Sequence, residues 1–344
     1  MKILISSDGR HAHYYQRMSW AKAFVASGHT AVMWDIKNVN PFDAFDTFEP
    51  DIFLGQLYNL DSATIKCIKE RPHLRVGLRA GDWGDHEKEV DKSKYNILFC
   101  SNKEKENLKK LKDETGKPDF IHIHYTPEAI KQTHNEFEKL GIPVKSIMMC
   151  ADTFEYSNSL SDRKFQCDIG FVGGYWPYKG QVIDRYLKPM LYPVGKYNIK
   201  IFGNQPWQVN QYCGIIKDHE VKNLFKSAKV CPNLSEPHAQ KFGFDVNERI
   251  FKVIYSGGFC VSDYVEGYNL FKDGVVLAKT PEEFREKIDY YLDKPNERDA
   301  ISKKGRDIVI KNHTGYDRAA EIMKSFGYSK NAESIILEKN KNVG

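Results

Sequence analysis

Two parts of this 344-residue chain bring together residue types that can do chemistry. The first is the stretch Arg79 to Glu87 (RAGDWGDHE), which follows an apolar strand pattern. Glycines on both sides of Asp82 and Trp83 let a carboxylate and an aromatic ring be displayed together at a strand end. There Asp82 can take a proton while Trp83 stacks on a ring; an aspartate capping an ordinary turn is the competing reading. His11 and His13, in the loop after the first strand, are rival bases, with Asp85 and His86 behind them. Arg10, His11, Trp83 and Asp85 are the candidates for holding whatever is acted on. The second part is a set of glycines and cations in the C-terminal half. Gly173-Gly174 stands between an apolar strand and a helix, where bare backbone N–H groups and a helix N-terminus suit a phosphate; a tight turn without a ligand reads equally well. Lys179 and Arg185 follow as phosphate partners or surface cations. Arg249 and Lys252 lie three apart on one helix and point the same way. An arginine fork matches paired anionic oxygens, although Glu248 with Lys252 can also form a plain i,i+4 surface pair. Ser256-Gly257 offers either a close backbone approach or a helix C-cap. Gly203-Asn204 ends a strand and is either a ligand edge or a turn. His238 sits in a polar loop.

These residues need a scaffold that carries strand ends to one place. Apolar strands alternate with amphipathic helices: Lys2–Ser6, a helix Tyr14–Ser27, Thr30–Asp35, Asp51–Gly55, a helix Ser62–Glu70, Leu74–Arg79, Ile97–Cys100, a helix Asn102–Glu114, and Phe120–Tyr125. Thr126-Pro127 then opens a further helix as cap and first residue. The polar run from Asp152 to Gln166 reads as a linker. A second set starts at Cys167, with a helix Gln181–Leu191, Asn198–Phe202, a helix Glu220–Ala228, Val230–Asn233, a helix Val246–Ser256 and Phe259–Asp263. Helices Pro281–Leu292, Glu297–Asn312 and Tyr316–Phe326 close the pattern. Short buried strands alternating with helices predict an α/β protein of two Rossmann-like, doubly wound parallel-sheet domains. The expected domains are 1–155 and 165–328, the terminal helix crossing back, with 329–344 a frayed tail. Two such sheets are expected to face one central cleft, since ligands sit beyond the C-terminal strand ends.

Composition limits the partners. Hydrophobic residues make up 41% and charged residues 28%, ordinary for a folded protein, and no apolar run approaches the roughly 20 residues that span a bilayer. Seven cysteines are scattered singly, without a Cys-x-x-Cys, which fits reduced, buried thiols and a cytoplasmic location better than disulfides or zinc. No metal-ligand constellation stands out. A net charge of +5 suits an anionic ligand but is shared by many proteins.

The C-terminal pieces carry a resemblance. Asn247 to Asp263 (NERIFKVIYSGGFCVSD), Leu270 to Gly274, Thr280 to Phe284 and His313 to Ala319 look like the C-terminal domain of GT-B glycosyltransferases, in the spore-maturation CgeB-like branch. A second likeness, in the order Gly173-Gly174, Ile201 to Asn204, the Arg249 helix and Asp82, reaches phage DNA-base glucosyltransferases of the same fold. The resemblance implies transfer of a sugar from a nucleotide-diphosphate sugar, UDP-linked by default, without a cofactor or metal. It implies diphosphate contacts at Gly173-Gly174 and Arg249, a nucleobase near Gly203-Asn204, and a base histidine of the His13 kind in some members. The phage likeness implies hydroxymethylated DNA as acceptor. Lys252 departs from the pattern: it stands where relatives carry a ribose-binding glutamate, and a lysine cannot accept those hydrogen bonds. Either Asp245, Glu248 or Asp263 then holds the ribose, or Lys252 binds phosphate and the donor nucleotide is an unusual one. A sugar-nucleotide epimerase and an inactive nucleotide-binding module are the alternatives on this scaffold. Oligomeric state has no signal in the sequence.

Overall fold

The structure, a computed structural model, describes residues 1–9, 12–57, 60–81, 102–243 and 245–343. The chain divides into two compact units: Met1–Met148 with Gly315–Gly344, and Met149–Thr314.

Unit 1 alternates β1 (Lys2–Ser7), α1 (Ala12–Ala26), β2 (Thr30–Asp35), α2 (Pro41–Phe48), β3 (Ile52–Gln56), α3 (Ser62–Lys69), β4 (Arg75–Arg79), α4 (Asn102–Thr115), β5 (Phe120–Ile123), α5 (Pro127–Thr133), α6 (Asn135–Lys139) and β6 (Val144–Ser146). The strands form a sheet in the order β2-β1-β3-β4-β5-β6, and every pairing is parallel. Ile3, Leu4 and Ile5 of β1 and Val76 and Leu78 of β4 are all buried. A continuous apolar run of this kind is what a parallel strand covered on both faces requires. Helix starts follow their caps. Asn40 accepts from the Asp43 N–H at 2.9 Å, Asp61 from Thr64 at 2.7 Å and Thr126 from Ala129 at 3.3 Å.

Unit 2 contains β7 (Cys167–Val172), α7 (Pro177–Tyr186), β8 (Ile199–Phe202), α8 (Val221–Ser227), β9 (Ala228–Asn233), α9 (Pro237–Phe242), α10 (Glu248–Tyr255), β10 (Cys260–Asp263), β11 (Val276–Ala278), α11 (Pro281–Leu292) and α12 (Pro295–Asn312). Its sheet runs β11-β10-β9-β7-β8, again parallel throughout. The chain then returns to unit 1 as α13 (Gly315–Ser325) and α14 (Ser329–Asn342).

Three differences from the sequence reading have plain causes. The helix expected at Gln181–Leu191 starts at Pro177, whose fixed φ suits a first turn, and gives way to a 3-10 turn over Lys188–Leu191. Pro189 cannot donate the hydrogen bond that would continue it. The short elements α2, β6 and β11 were hidden because eight or fewer residues carry little periodicity. The strand expected at Ile97–Cys100 lies outside the described residues. The tail is helical, not frayed: Ala332 and Ile335 bury one face, and Lys339 makes an ion pair of 2.6 Å with Asp317.

Candidate functional site

In unit 2 the C-terminal ends of β7 and β9 meet the starts of α7 and α10. Arg249, in the first turn of α10, donates from Nε to the Val172 carbonyl at 2.8 Å. From Nη1 it donates to the Leu234 carbonyl at 3.3 Å and the Asn233 side chain at 3.5 Å. Its guanidinium lies 4.8 Å over the Phe171 ring. The half-buried arginine is therefore aimed at the edge of the sheet, at the tips of both strands. Gly173 makes room for it, because a Cβ there would come within 3.0 Å of Nη2.

Lys179 stands in the first turn of α7. It is 6% exposed, with its ammonium 5.1 Å over the Trp176 ring. No hydrogen bond or ion pair ties it to the described residues. Burial, and then the neighbouring Arg249 charge, pull its pKa from the ordinary lysine value to about 7, against the opposite pull of Glu236, Asp263 and Asp245. The start of α7 has no side-chain cap, so its first N–H groups add partial positive charge at the same edge. A buried ammonium, a forked guanidinium and an open helix start together form a receptor for an anion with several oxygens.

Behind these cations a polar network fixes the strand ends. Ser235 donates to Asp263 from both backbone and hydroxyl at 3.0 Å, and Gln240 donates to it at 2.6 Å. Asn233 donates to Ser262 at 2.9 Å and to Tyr268 at 3.1 Å, and Asn247 donates to Tyr268 at 2.9 Å. The sequence reading missed Asn233, Ser235 and Tyr268. Asn233 and Ser235 were signalled only as polar residues at the end of an apolar strand, and Tyr268, in the 3-10 segment Glu266–Gly274, carried no signal.

The other residues singled out from the sequence divide. Gly173 does not offer its N–H to a ligand: it donates to the Phe202 carbonyl at 2.8 Å, while its own carbonyl accepts from Trp207 at 2.9 Å. Gly174 adjoins it. Gly203 is required by backbone crowding, since a Cβ would stand 2.4 Å from the Gly173 oxygen; Asn204 next to it is exposed. Arg185 is exposed in the last turn of α7, two turns beyond Lys179. Ser256 and Gly257 end α10, on the side of the sheet away from Arg249. There Gly257, at φ 74°, and Gly258 return N–H bonds of 2.9 and 3.0 Å to Ile254 and Val253. That is a Schellman C-cap, the alternative reading of the motif. Lys252 forms the i,i+4 pair, 2.8 Å from Glu248. Burial works against its charge, but Glu248 and Tyr156 overcome this and hold its pKa above the lysine norm. Of the carboxylates offered for the ribose, Asp263 has no exposed surface and takes up the bonds above. Asp245 meets His238 at 3.0 Å, and Glu248 belongs to Lys252.

In unit 1, His13 lies 2.8 Å from Arg79 through Nε2. Arginine only donates, so that nitrogen must accept, and its lone pair is engaged. This geometry makes Nε2 the acceptor, leaves the ring proton on Nδ1, and argues against His13 acting as base through Nε2. The His124 ring lies 5.3 Å away. Arg17 donates to the Ser6 carbonyl at 2.7 Å, and His122 is held neutral by burial and by the charges of Arg17 and Arg79. Arg10, His11, Asp82, Trp83, Asp85 and His86 lie outside the described residues. Among the described residues no cluster of histidine, cysteine or carboxylate side chains could hold a metal ion, and no helix is long and apolar enough to cross a membrane.

Residues 181–324 match the family model described as glycosyl transferase-like. No curated protein matches the chain. Among solved structures the chain is similar to T4 phage BGT in complex with its UDP-glucose substrate: TM-score 0.59 and 14% identity, over 97% of this chain and 100% of that one. It is similar to T4 phage BGT in complex with UDP and Mn2+, with TM-score 0.57 and 14% identity over 97% and 100%. An alpha-glucosyltransferase in complex with UDP-glucose and DNA containing an abasic site matches with TM-score 0.66 and 13% identity, over 96% and 98%. At such identities the structures establish the fold, and the family model supplies the class of protein. The chain is a glycosyltransferase of the GT-B fold whose glycosyl transferase-like domain spans residues 181–324.

Proposed function

We propose that this glycosyltransferase uses a UDP-sugar and holds the donor diphosphate in unit 2, at Lys179, Arg249, Gly174 and the open start of α7. Lys179 carries the reading: a buried ammonium beside a second cation is unfavourable until an anion joins them. As the bond from the anomeric carbon to the diphosphate oxygen breaks, negative charge grows on that oxygen, and these groups neutralise it. The acceptor hydroxyl attacks the anomeric carbon and gives its proton to a base, a role we assign to Asp82. Arg10, His11, Trp83 and Asp85 are assigned to the acceptor. The similar structures holding UDP or UDP-glucose support uridine. Positive charge supplied by side chains supports a reaction without a resident metal, and the burial of five of the six described cysteines supports thiols kept for packing in a cytoplasmic setting.

The acceptor we favour is DNA carrying hydroxymethylated bases. The similar alpha-glucosyltransferase bound to DNA supports it, as does the net charge of +5. An enzyme acting on such a base must take it out of the stack. Radiolabelled UDP-glucose incubated with hydroxymethylated and unmodified duplexes, with and without Mn2+, tests both halves. Label is expected in the hydroxymethylated duplex alone. Label in neither, with donor hydrolysis still seen, refutes the acceptor. No shift in thermal stability with UDP refutes the donor, since a ligand at 100 times Kd adds about 2.7 kcal/mol.

A further inference from the structure

The anion site is built from two helix starts that share no backbone, and one side chain links them. His238 of α9 is 6% exposed. Its Nδ1 lies 2.9 Å from the Tyr178 hydroxyl, and its backbone N–H donates to that same oxygen at 3.1 Å. The two rings stack almost parallel, 6.0 Å apart and 4° from coplanar. Its Nε2 lies 3.0 Å from the Asp245 carboxylate. An ionised carboxylate only accepts, so Nε2 carries a proton; in the neutral ring Nδ1 then accepts from the tyrosine hydroxyl, with the Glu236 carboxylate 3.8 Å from the same nitrogen. Tyr178 precedes Lys179 in the first turn of α7. Asp245 lies two residues before Asn247, whose side chain caps α10 by accepting from the Ile250 N–H at 3.4 Å, one residue from Arg249. The imidazole therefore spans from the lysine-bearing turn to the arginine-bearing turn with both ring nitrogens engaged. An apolar residue of the same size would fill the space and hold neither.

We propose that His238 is a positioning residue that sets the spacing of the Lys179 ammonium from the Arg249 guanidinium, and so makes the site select a diphosphate over a monophosphate. A single phosphate can sit on either cation, whereas two linked phosphates need both at a fixed separation. This rests on the reading of Lys179 and Arg249 as the diphosphate holders, and the experiment separates the two claims.

Dissociation constants for UDP and UMP are measured by titration calorimetry on the full chain, for the wild type, His238→Leu, His238→Gln, Lys179→Met and the His238→Leu/Lys179→Met double variant. His238→Leu is expected to weaken UDP about tenfold, or ~1.4 kcal/mol, and to leave UMP within about twofold. His238→Gln, whose amide can both donate to Asp245 and accept from Tyr178, recovers most of that loss. In the Lys179→Met background the leucine substitution adds nothing, because the residue it positions is gone. Tyr178→Phe keeps the stacked ring, loses the hydroxyl and is expected to act like the leucine variant; it decides the question should His238→Leu fail to fold. Equal losses for UDP and UMP, additivity of His238 and Lys179, or no effect of either His238→Leu or Tyr178→Phe overturns the proposal. If UDP fails to bind the wild type, or binds Lys179→Met just as well, the donor-site reading falls and this inference with it.

Discussion

At the scale of the residue, Lys179 is the group whose behaviour is most exposed to test. Its folded pKa of about 7 lies below the value in the unfolded chain. Above pH 7 the unfolded chain therefore holds the extra proton, and the stability of the empty protein rises with pH toward the lysine norm. A bound diphosphate favours the charged ammonium and reverses the sign. Binding is strongest where Lys179 is already protonated, and weakens by up to about tenfold per pH unit between about pH 7.5 and 9. Calorimetry in buffers of different ionisation enthalpy should find proton uptake on UDP binding in that window. Lys179→Arg, always charged, should bind UDP without proton uptake. A flat affinity profile in the wild type would show that the lysine does not face the diphosphate. Arg249 differs in kind, because it anchors the protein as well as the ligand. Arg249→Ala strands the Val172 and Leu234 carbonyls that it now satisfies, and is expected to cost about 1–3 kcal/mol in denaturant unfolding while abolishing donor hydrolysis.

At the scale of the element, the glycines of unit 2 divide by what crowds them. Gly257 is a helix C-cap in the left-handed region, so Gly257→Ala should cost about 1 kcal/mol of stability and leave the UDP dissociation constant unchanged. Gly203 is where β8 meets the backbone of β7. Gly203→Ala should shift the Gly173 turn, destabilise by about 1–3 kcal/mol and weaken UDP binding as well. Urea unfolding with parallel titrations separates the two, and a change in UDP affinity for Gly257→Ala would restore the Ser256-Gly257 segment to the donor site. The sequence carried Gly173, Gly203 and Gly257 as one kind of signal. A glycine codon records only that a Cβ is unwelcome, and it took the neighbours to say whether a guanidinium, a backbone or a dihedral excludes it.

At the scale of the whole molecule, the chain closes unit 1 with its own end. In α13 and α14, Tyr316, Ile322, Met323, Ala332 and Ile335 are buried, and Phe326 packs on Phe120 with ring centroids 4.7 Å apart. Ending the chain after Gly327 removes α14, with its Lys339–Asp317 pair and the buried Ala332 and Ile335, and should lower the unfolding temperature of unit 1. Differential scanning calorimetry is expected to split into two transitions, the one belonging to Met149–Thr314 unshifted. A single transition at the wild-type temperature would mean that the helix is ornamental to the fold.

The alternation of apolar runs with capped helices was enough to specify two parallel α/β sheets. Strand burial and helix capping are local demands, met within a few residues of sequence. The sequence also singled out Arg249, just inside an expected helix, and Lys179 as one of two cations after Gly173-Gly174, but it began the neighbouring helix only at Gln181 and so did not place Lys179 on a helix start. Tertiary structure decided what those cations meet. The pairing of Lys252 with Glu248, the burial of Asp263, the loss of the Gly173 N–H to Phe202 and the engagement of His13 by Arg79 are choices among partners 4 to 66 residues apart. Side-chain charge is written in the sequence, whereas which distant groups meet that charge is decided only when the fold brings them together.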